Sequence, residues 1–197
     1  MFGNTPVPFT ASWSAEERFH IAECRYFGRP AVFQDEQPGV GKPLFGKPHM
    51  QRQRQVIARC QCDLCGLSLL TSTKVSLSHA RPQPHGASGW AVLQVEPMLH
   101  KRCAATSIRF CPSLRADVER GTLFVRQVTS HRVQCAILSE AAVLEFTGER
   151  RTALGHAKVE LLRWIDRDAA WLEPDAEPRR RAAFPEQREA APGGARA

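Results

Sequence analysis

No stretch of this sequence approaches the roughly 20 consecutive apolar residues that a membrane-spanning helix needs, so a helical membrane protein is not expected. The opening Met1-Phe2-Gly3-Asn4-Thr5-Pro6 lacks the charged and apolar regions of an export signal, and the expectation is a cytoplasmic location with no membrane partner. Aromatic residues are few, with Tyr26 the only tyrosine. Acidic residues are almost missing from the middle of the chain. Between positions 37 and 115 only Asp63 and Glu96 stand against eleven Lys and Arg, a local balance of +9 that leaves −2 for the rest of a chain of formal charge +7. Clustered cations of that kind suit a polyanion, whose phosphates release counterions on binding.

The remaining composition is ordinary. A hydrophobic fraction of 43% and a charged fraction of 24% exclude a fibrous or wholly disordered chain, and 197 residues suffice for one domain with a single core. The seven cysteines are an odd number. In a reducing compartment disulfides explain them poorly, which leaves metal ligation or burial.

Cys62-x2-Cys65 followed by Gly66 is a zinc-knuckle pattern, in which a tight turn points two thiolates and several backbone amides at one ion. His100-x2-Cys103 supplies a second pair, spaced for the opening turn of a helix expected over His100 to Phe110. Cys62, Cys65, His100 and Cys103 thus make a tetrahedral set for a structural Zn2+, with no coordination position left for catalysis. Cys60 could replace Cys62, but Cys60-x4-Cys65 lacks the knuckle turn. Cys111 stands more than two helical turns past Cys103 and reads as a buried residue closing the helix, although a ligand set containing it stays open. Cys24 and Cys135 read as core residues.

The capping box Ser14-Ala15-Glu16-Glu17, with Phe19, Ile21, Ala22 and Cys24 behind it, predicts a short helix ending near Gly28. Ala31-Val32-Phe33 reads as extended, the Pro and Gly residues from Pro38 to Pro48 as a long loop, and Met50 to Arg59 as a short helix or an extended arm. Leu67 to Leu70 and Lys74 to Ser78 predict a hairpin turning at Thr71 to Thr73, and Trp90 to Val95 a third strand. Pro112 opens a second helix that stops at Gly121. Leu123 to Val128, Arg132 to Leu138 and Val143 to Phe146 suggest a small meander. Val159, Leu161, Leu162, Ile165, Ala169 and Leu172, with Trp164 and Trp171, keep helical spacing and predict a C-terminal helix packed on it. From Glu173 onward Pro, Ala, Arg, Glu and Gly dominate, which predicts a disordered tail. The expected fold class is α+β: an N-terminal helix and basic arm over 1–59, a zinc-stapled treble-clef-like module over 60–121, a small antiparallel sheet with its packing helix over 122–172, and the tail over 173–197.

Three segments carry a resemblance. Cys62-x2-Cys65, Ser78-His79-Ala80-Arg81-Pro82 and Pro97-Met98-Leu99-His100-x2-Cys103 together resemble the zinc-stapled form of the HNH endonuclease motif, over about residues 60 to 110. The resemblance implies that His79 is a general base activating water, with Mg2+ or Mn2+ stabilising charge on the scissile phosphate. Ser78 stands where that family has a metal-binding Asp, Ala104 where a His is common, and Val95 or Glu96 where an Asn is usual, so His85 or Glu96 would have to complete a variant site. The run from Cys103-Ala104-Ala105 through Cys111-Pro112 is also similar to small uncharacterised zinc proteins of bacteriophages and prophages, which implies no activity. Gly39-Val40-Gly41-Lys42-Pro43 fails as a phosphate loop, because Glu36 replaces the first Gly and Pro43 the Ser or Thr. The His-x-Glu and Pro-Cys-x2-Cys of a zinc deaminase are missing.

The leading expectation is a zinc-stabilised basic protein that binds nucleic acid, DNA in preference to RNA, or a nucleoprotein. Lys47, Arg52, Arg54, Arg59, Lys74, Arg81, Lys101 and Arg102 are its expected phosphate contacts. One rival is a divergent HNH-type nuclease acting through His79. The other is a structural or inhibitory phage protein in which zinc serves stability alone.

Overall fold

The computed structural model describes residues 1–86 and 89–173; the tail expected to be disordered lies, but for Glu173, outside the described residues. In chain order the elements are β1 (Ala11–Trp13), β2 (Phe19–Cys24), β3 (Arg29–Gln34), β4 (Pro43–Pro48), α1 (Met50–Ala58), β5 (Lys74–Ser78), β6 (Gln83–His85), β7 (Gly89–Gln94), β8 (Leu99–His100), α2 (Lys101–Phe110), α3 (Pro112–Glu119), β9 (Phe124–Leu138), α4 (Glu140–Thr147) and β10 (Ala153–Arg167), closed by a 3-10 turn at Ala170–Leu172. This is a mixed α/β chain. No described helix is long and apolar enough to cross a membrane.

β1 and β4 pair as a separate two-stranded sheet, and the other eight strands form one sheet. Its path is β2-β3-β10-β9-β5-β8, with β7 joined to β10 and β6 to β7. The long antiparallel pair β9 and β10 is the spine, paired from Ala153↔Leu138 to Arg167↔Val125 with register shifts after Leu154 and after Leu161. The other edge of β10 is shared by β3, parallel at Leu154↔Ala31, and by β7, antiparallel at Val159↔Gln94. Strands of the segments 1–59, 60–121 and 122–172 therefore hydrogen-bond to one another within this sheet.

Several local expectations are corrected. Residues 153–167 form a strand, not the C-terminal helix; only Ala170–Leu172 makes a helical turn. Bulges between Leu154 and Ala157 and between Leu161 and Trp164 slip the two-residue alternation, but of the residues with helical spacing only Val159, Leu161 and Leu172 are buried and Ile165 is exposed, so the period marks no packed helix face. Residues 19–24 are strand as well. The capping box is diverted there: the Ser14 hydroxyl accepts from the Lys42 amide, and Glu16 goes to Arg52. Phe124–Leu138 is one strand rather than two. Val143 to Phe146 lies in α4, capped by Ser139 and ended by Gly148 at φ +75°. Leu67 to Leu70 forms no hairpin with β5, which pairs instead with β8 and β9.

Helix α1 explains how a Gln-Arg-Gln-Arg run becomes interior. It packs against the bulge in β10, where ladder hydrogen bonds are broken and backbone groups need partners. Gln53 accepts from the Ala157 amide at 2.9 Å and donates to the Ala157 and Val95 carbonyls. Arg54, fully buried, donates to the Gly155 and Val32 carbonyls and lies over the Phe33 ring. Beneath the same helix Val56 and Ile57 join a core with Leu69, Val75, Val92, Val125 and Leu161.

His49 caps this helix. Its Nδ1 accepts from the Arg52 amide at 3.4 Å and its Nε2 donates to the Asp35 carbonyl at 3.3 Å, which uses the neutral ring. Burial first, and then the Arg52 charge, hold the imidazole down to about 4. The unfolded histidine takes a proton near 6.5, so the stability due to this group is complete above that value and is lost as pH falls through about 4. At about 1.4 kcal/mol per pH unit the loss is roughly 3 kcal/mol. Denaturant unfolding across this window should show a shallower pH dependence for His49→Asn, which retains a cap acceptor; an unchanged slope would refute the assignment.

Candidate metal centre

Two elements bring four ligands together. In the knuckle the Gly66 amide donates to the Cys62 carbonyl at 2.8 Å, and the Cys62 amide donates to the Leu67 carbonyl at 2.8 Å. Gly66 sits at φ +71°, and a Cβ there would come within 2.9 Å of the Phe9 ring, so the position excludes other side chains twice over. The Phe9 amide in turn donates to the Leu64 carbonyl, tying the N-terminal segment to the knuckle. Across from it, β8 runs directly into α2, so His100 is the N-cap and Cys103 lies on the first turn. The His100 ring makes no cap hydrogen bond and is free to face the knuckle.

The donor atoms of Cys62, Cys65, His100 and Cys103 all lie within 4.8 Å of one another. With bonds of about 2.3 Å to sulfur and about 2.05 Å to nitrogen, a tetrahedral zinc holds sulfur and nitrogen about 3.6 Å apart. His100 Nδ1 is 3.4 Å from Cys65 Sγ and 3.9 Å from Cys103 Sγ, which brackets that value. His100 Nε2 donates to the Ser68 carbonyl at 3.0 Å, fixing the tautomer in which Nδ1 offers its lone pair to a metal. The set can hold a metal ion.

Its electrostatics call for a cation. Burial raises the Cys62 thiol, against backbone amides of Cys65, His100 and Leu64 that favour its thiolate. Burial, and then the neighbouring Cys62 and Cys65, push Cys103 up to about 12. Burial thus holds Cys62 and Cys103 toward the neutral thiol, and a divalent cation between them would reverse that balance. No family model, curated protein or solved structure matches this chain. The site therefore rests on its own geometry.

The other cysteines stand outside the set. Cys60 is half-buried against the main core and Cys111 separates α2 from α3, while Cys24 and Cys135 pack with Ala31 and Leu154. His79, just past β5, is exposed, and its Nε2 is 3.1 Å from Asp117 Oδ2. Burial pushes the Asp117 carboxyl up, but Arg120 and His79 outweigh it and hold it below the usual value. The Ser78 hydroxyl accepts from the Ala80 amide, and His85 is engaged by Glu160 at 3.2 Å. Among the described residues Cys62, Cys65, His100 and Cys103 alone form a group of three or more such donors close enough for a metal, so His79, His85 and Glu96 gather none.

The expected phosphate contacts divide. Arg52 and Arg54 are buried and spent on Glu16 and on backbone carbonyls, because their helix faces the bulged strand rather than solvent. Lys47, Arg59, Arg81 and Arg102 are exposed. Lys74 pairs with His100 across β5 and β8, beside the metal centre. Lys101 stacks on Trp171 at 4.9 Å. An open cleft of about 1240 Å³ runs along α2, walled by Lys101, Arg102 and Arg109 together with Ser72, Thr73 and Thr106, with Glu173 the one carboxylate on its lining. Positions 101, 102, 105, 106 and 109 share one helix face, a periodicity that would have revealed Arg109 in the sequence. The Ser72 and Thr73 contributions arise from tertiary packing and carry no sequence signal.

Proposed function

We propose that this is a zinc-stabilised protein that binds nucleic acid, duplex DNA before RNA, through the cationic face of α2. The observation that carries the reading is the cleft in which Lys101, Arg102 and Arg109 face hydroxyls of Ser72, Thr73 and Thr106, with no ion pair to any of the three cations among the described residues. Paired surface cations are neutralised already; these are left for an outside anion. Zinc would fix the N-terminal turn of that helix against the knuckle, as a treble-clef reading of the module requires. Backbone phosphates are the target, and sequence readout is not part of the proposal.

With three phosphate contacts, the logarithm of the association constant for a short duplex should fall with the logarithm of salt at a slope of about −3. Reversing two of the charges in Arg102→Glu/Arg109→Glu should flatten that slope by about 2 and weaken binding more than about tenfold. Fluorescence anisotropy over a salt series measures both. Salt-independent binding, or no binding at low salt, would remove the proposal.

A further inference from the structure

The only two carboxylates of the basic segment 37–115, Asp63 and Glu96, meet at one place: both line a second cavity of about 500 Å³ on the Ser107–Phe110 side of α2. Its walls are otherwise apolar for the most part, with Leu77, Leu99, Phe110 and Leu114 among them. Among the described residues no Lys, Arg or His lines this cavity. Asp63 Oδ1 accepts from the Thr10 hydroxyl, and neither acid belongs to an ion pair among the described residues.

We infer that this cavity binds a small organic cation, an ammonium or amidinium group on an aromatic or branched aliphatic body. The volume falls within the roughly 300–1,000 Å³ usual for small-molecule sites, in which apolar walls supply contact area and a few polar groups fix orientation. Two carboxylates without a cationic partner offer acceptors to an N–H donor and repel an anion. An anionic or polyanionic occupant would meet like charge here, which separates this site from the neighbouring cationic cleft, with which it shares Thr106. The inference stands independently of nucleic-acid binding.

The test uses the full chain with zinc present and two probes of equal shape, phenylbutylamine and phenylbutanoate, titrated by calorimetry and by saturation-transfer NMR. The amine should bind at least about tenfold more tightly than the carboxylate. Glu96→Gln, at an exposed position, should weaken the amine about tenfold while the thermal midpoint and zinc content stay unchanged. Ser107→Trp, which fills the cavity from α2, should block the amine and leave duplex binding intact. Equal binding of the two probes, an amine affinity indifferent to Glu96→Gln and Ser107→Trp alike, or no binding of the amine at millimolar concentration would each overturn the inference.

Discussion

Purified protein is expected to contain about one zinc per chain, and Cys65→Ser to lose it. Cys65 is the most informative ligand to remove because it is exposed, whereas Cys62 and Cys103 are buried and their replacement would also disturb packing. A serine at position 65 changes one atom at the surface, so any large loss of stability must pass through the metal. Structural zinc sites bind with apparent free energies of about 10–16 kcal/mol, and a set reduced to three ligands surrenders a large part of that. The thermal midpoint should therefore drop by more than about 10 °C, a shift that corresponds to several kcal/mol in a domain of this size. A strong chelator should reproduce the drop in the parent chain and add nothing to Cys65→Ser. Cys60→Ser and Cys111→Ser should retain the metal, since neither thiol belongs to the donor set. Elemental analysis beside thermal scans of the four proteins decides it: full zinc in Cys65→Ser, or its loss from Cys111→Ser, would contradict the site drawn here.

The ligand set was readable because it depends on local geometry. A knuckle needs Cys-x2-Cys-Gly whatever surrounds it, and His100-x2-Cys103 needs only one helical turn, so four residues distant in sequence were identifiable by spacing. Most of the sheet was hidden for the opposite reason. Residues 159–172 show a helical period, yet β9 offers fifteen residues of antiparallel partner, and the strand forms although it leaves Ile165 exposed. Segment 19–24 follows a sound capping box, but Glu16 is committed to an arginine thirty-six positions away, and no local pattern announces that. The polar run of α1 reads as a solvated basic arm until the broken ladder of β10 supplies its hydrogen-bond partners. Charge is likewise legible as a total but not as a surface: of eight cations assigned to phosphate, two are interior, while Arg109 was passed over.

Breaking the buried pair between Glu16 and Arg52 should be among the most damaging changes available away from the metal. Both oxygens of Glu16 accept from the Arg52 guanidinium at 2.7 Å, Arg52 also donates to the Ala11 carbonyl, and Glu16 takes the Trp13 and Gln37 amides at 2.7 and 2.9 Å. Glu16 is fully buried and Arg52 nearly so. Burial raises the carboxyl, but Arg52 and the two amides together hold it below its usual value, so it stays ionised at neutral pH. Glu16→Ala then leaves an uncompensated guanidinium in the interior, at a cost of about 3–5 kcal/mol. The surface pair Arg18–Asp35, whose arginine is 82% exposed, provides the contrast: Arg18→Ala should cost less than about 1 kcal/mol. Replacing both buried partners, as Glu16→Leu/Arg52→Met, should cost less than the sum of the single changes by about 2 kcal/mol, since no charge is stranded. Denaturant unfolding of these variants, with Glu16→Leu and Arg52→Met as the two single changes, gives every value, and additive losses would mean that the pair is not coupled. The same double variant separates structure from binding: Arg52 is spent inside the fold, so duplex affinity and its salt slope should match those of the parent chain, whereas a loss of affinity in a folded double variant would return Arg52 to the phosphate-binding surface.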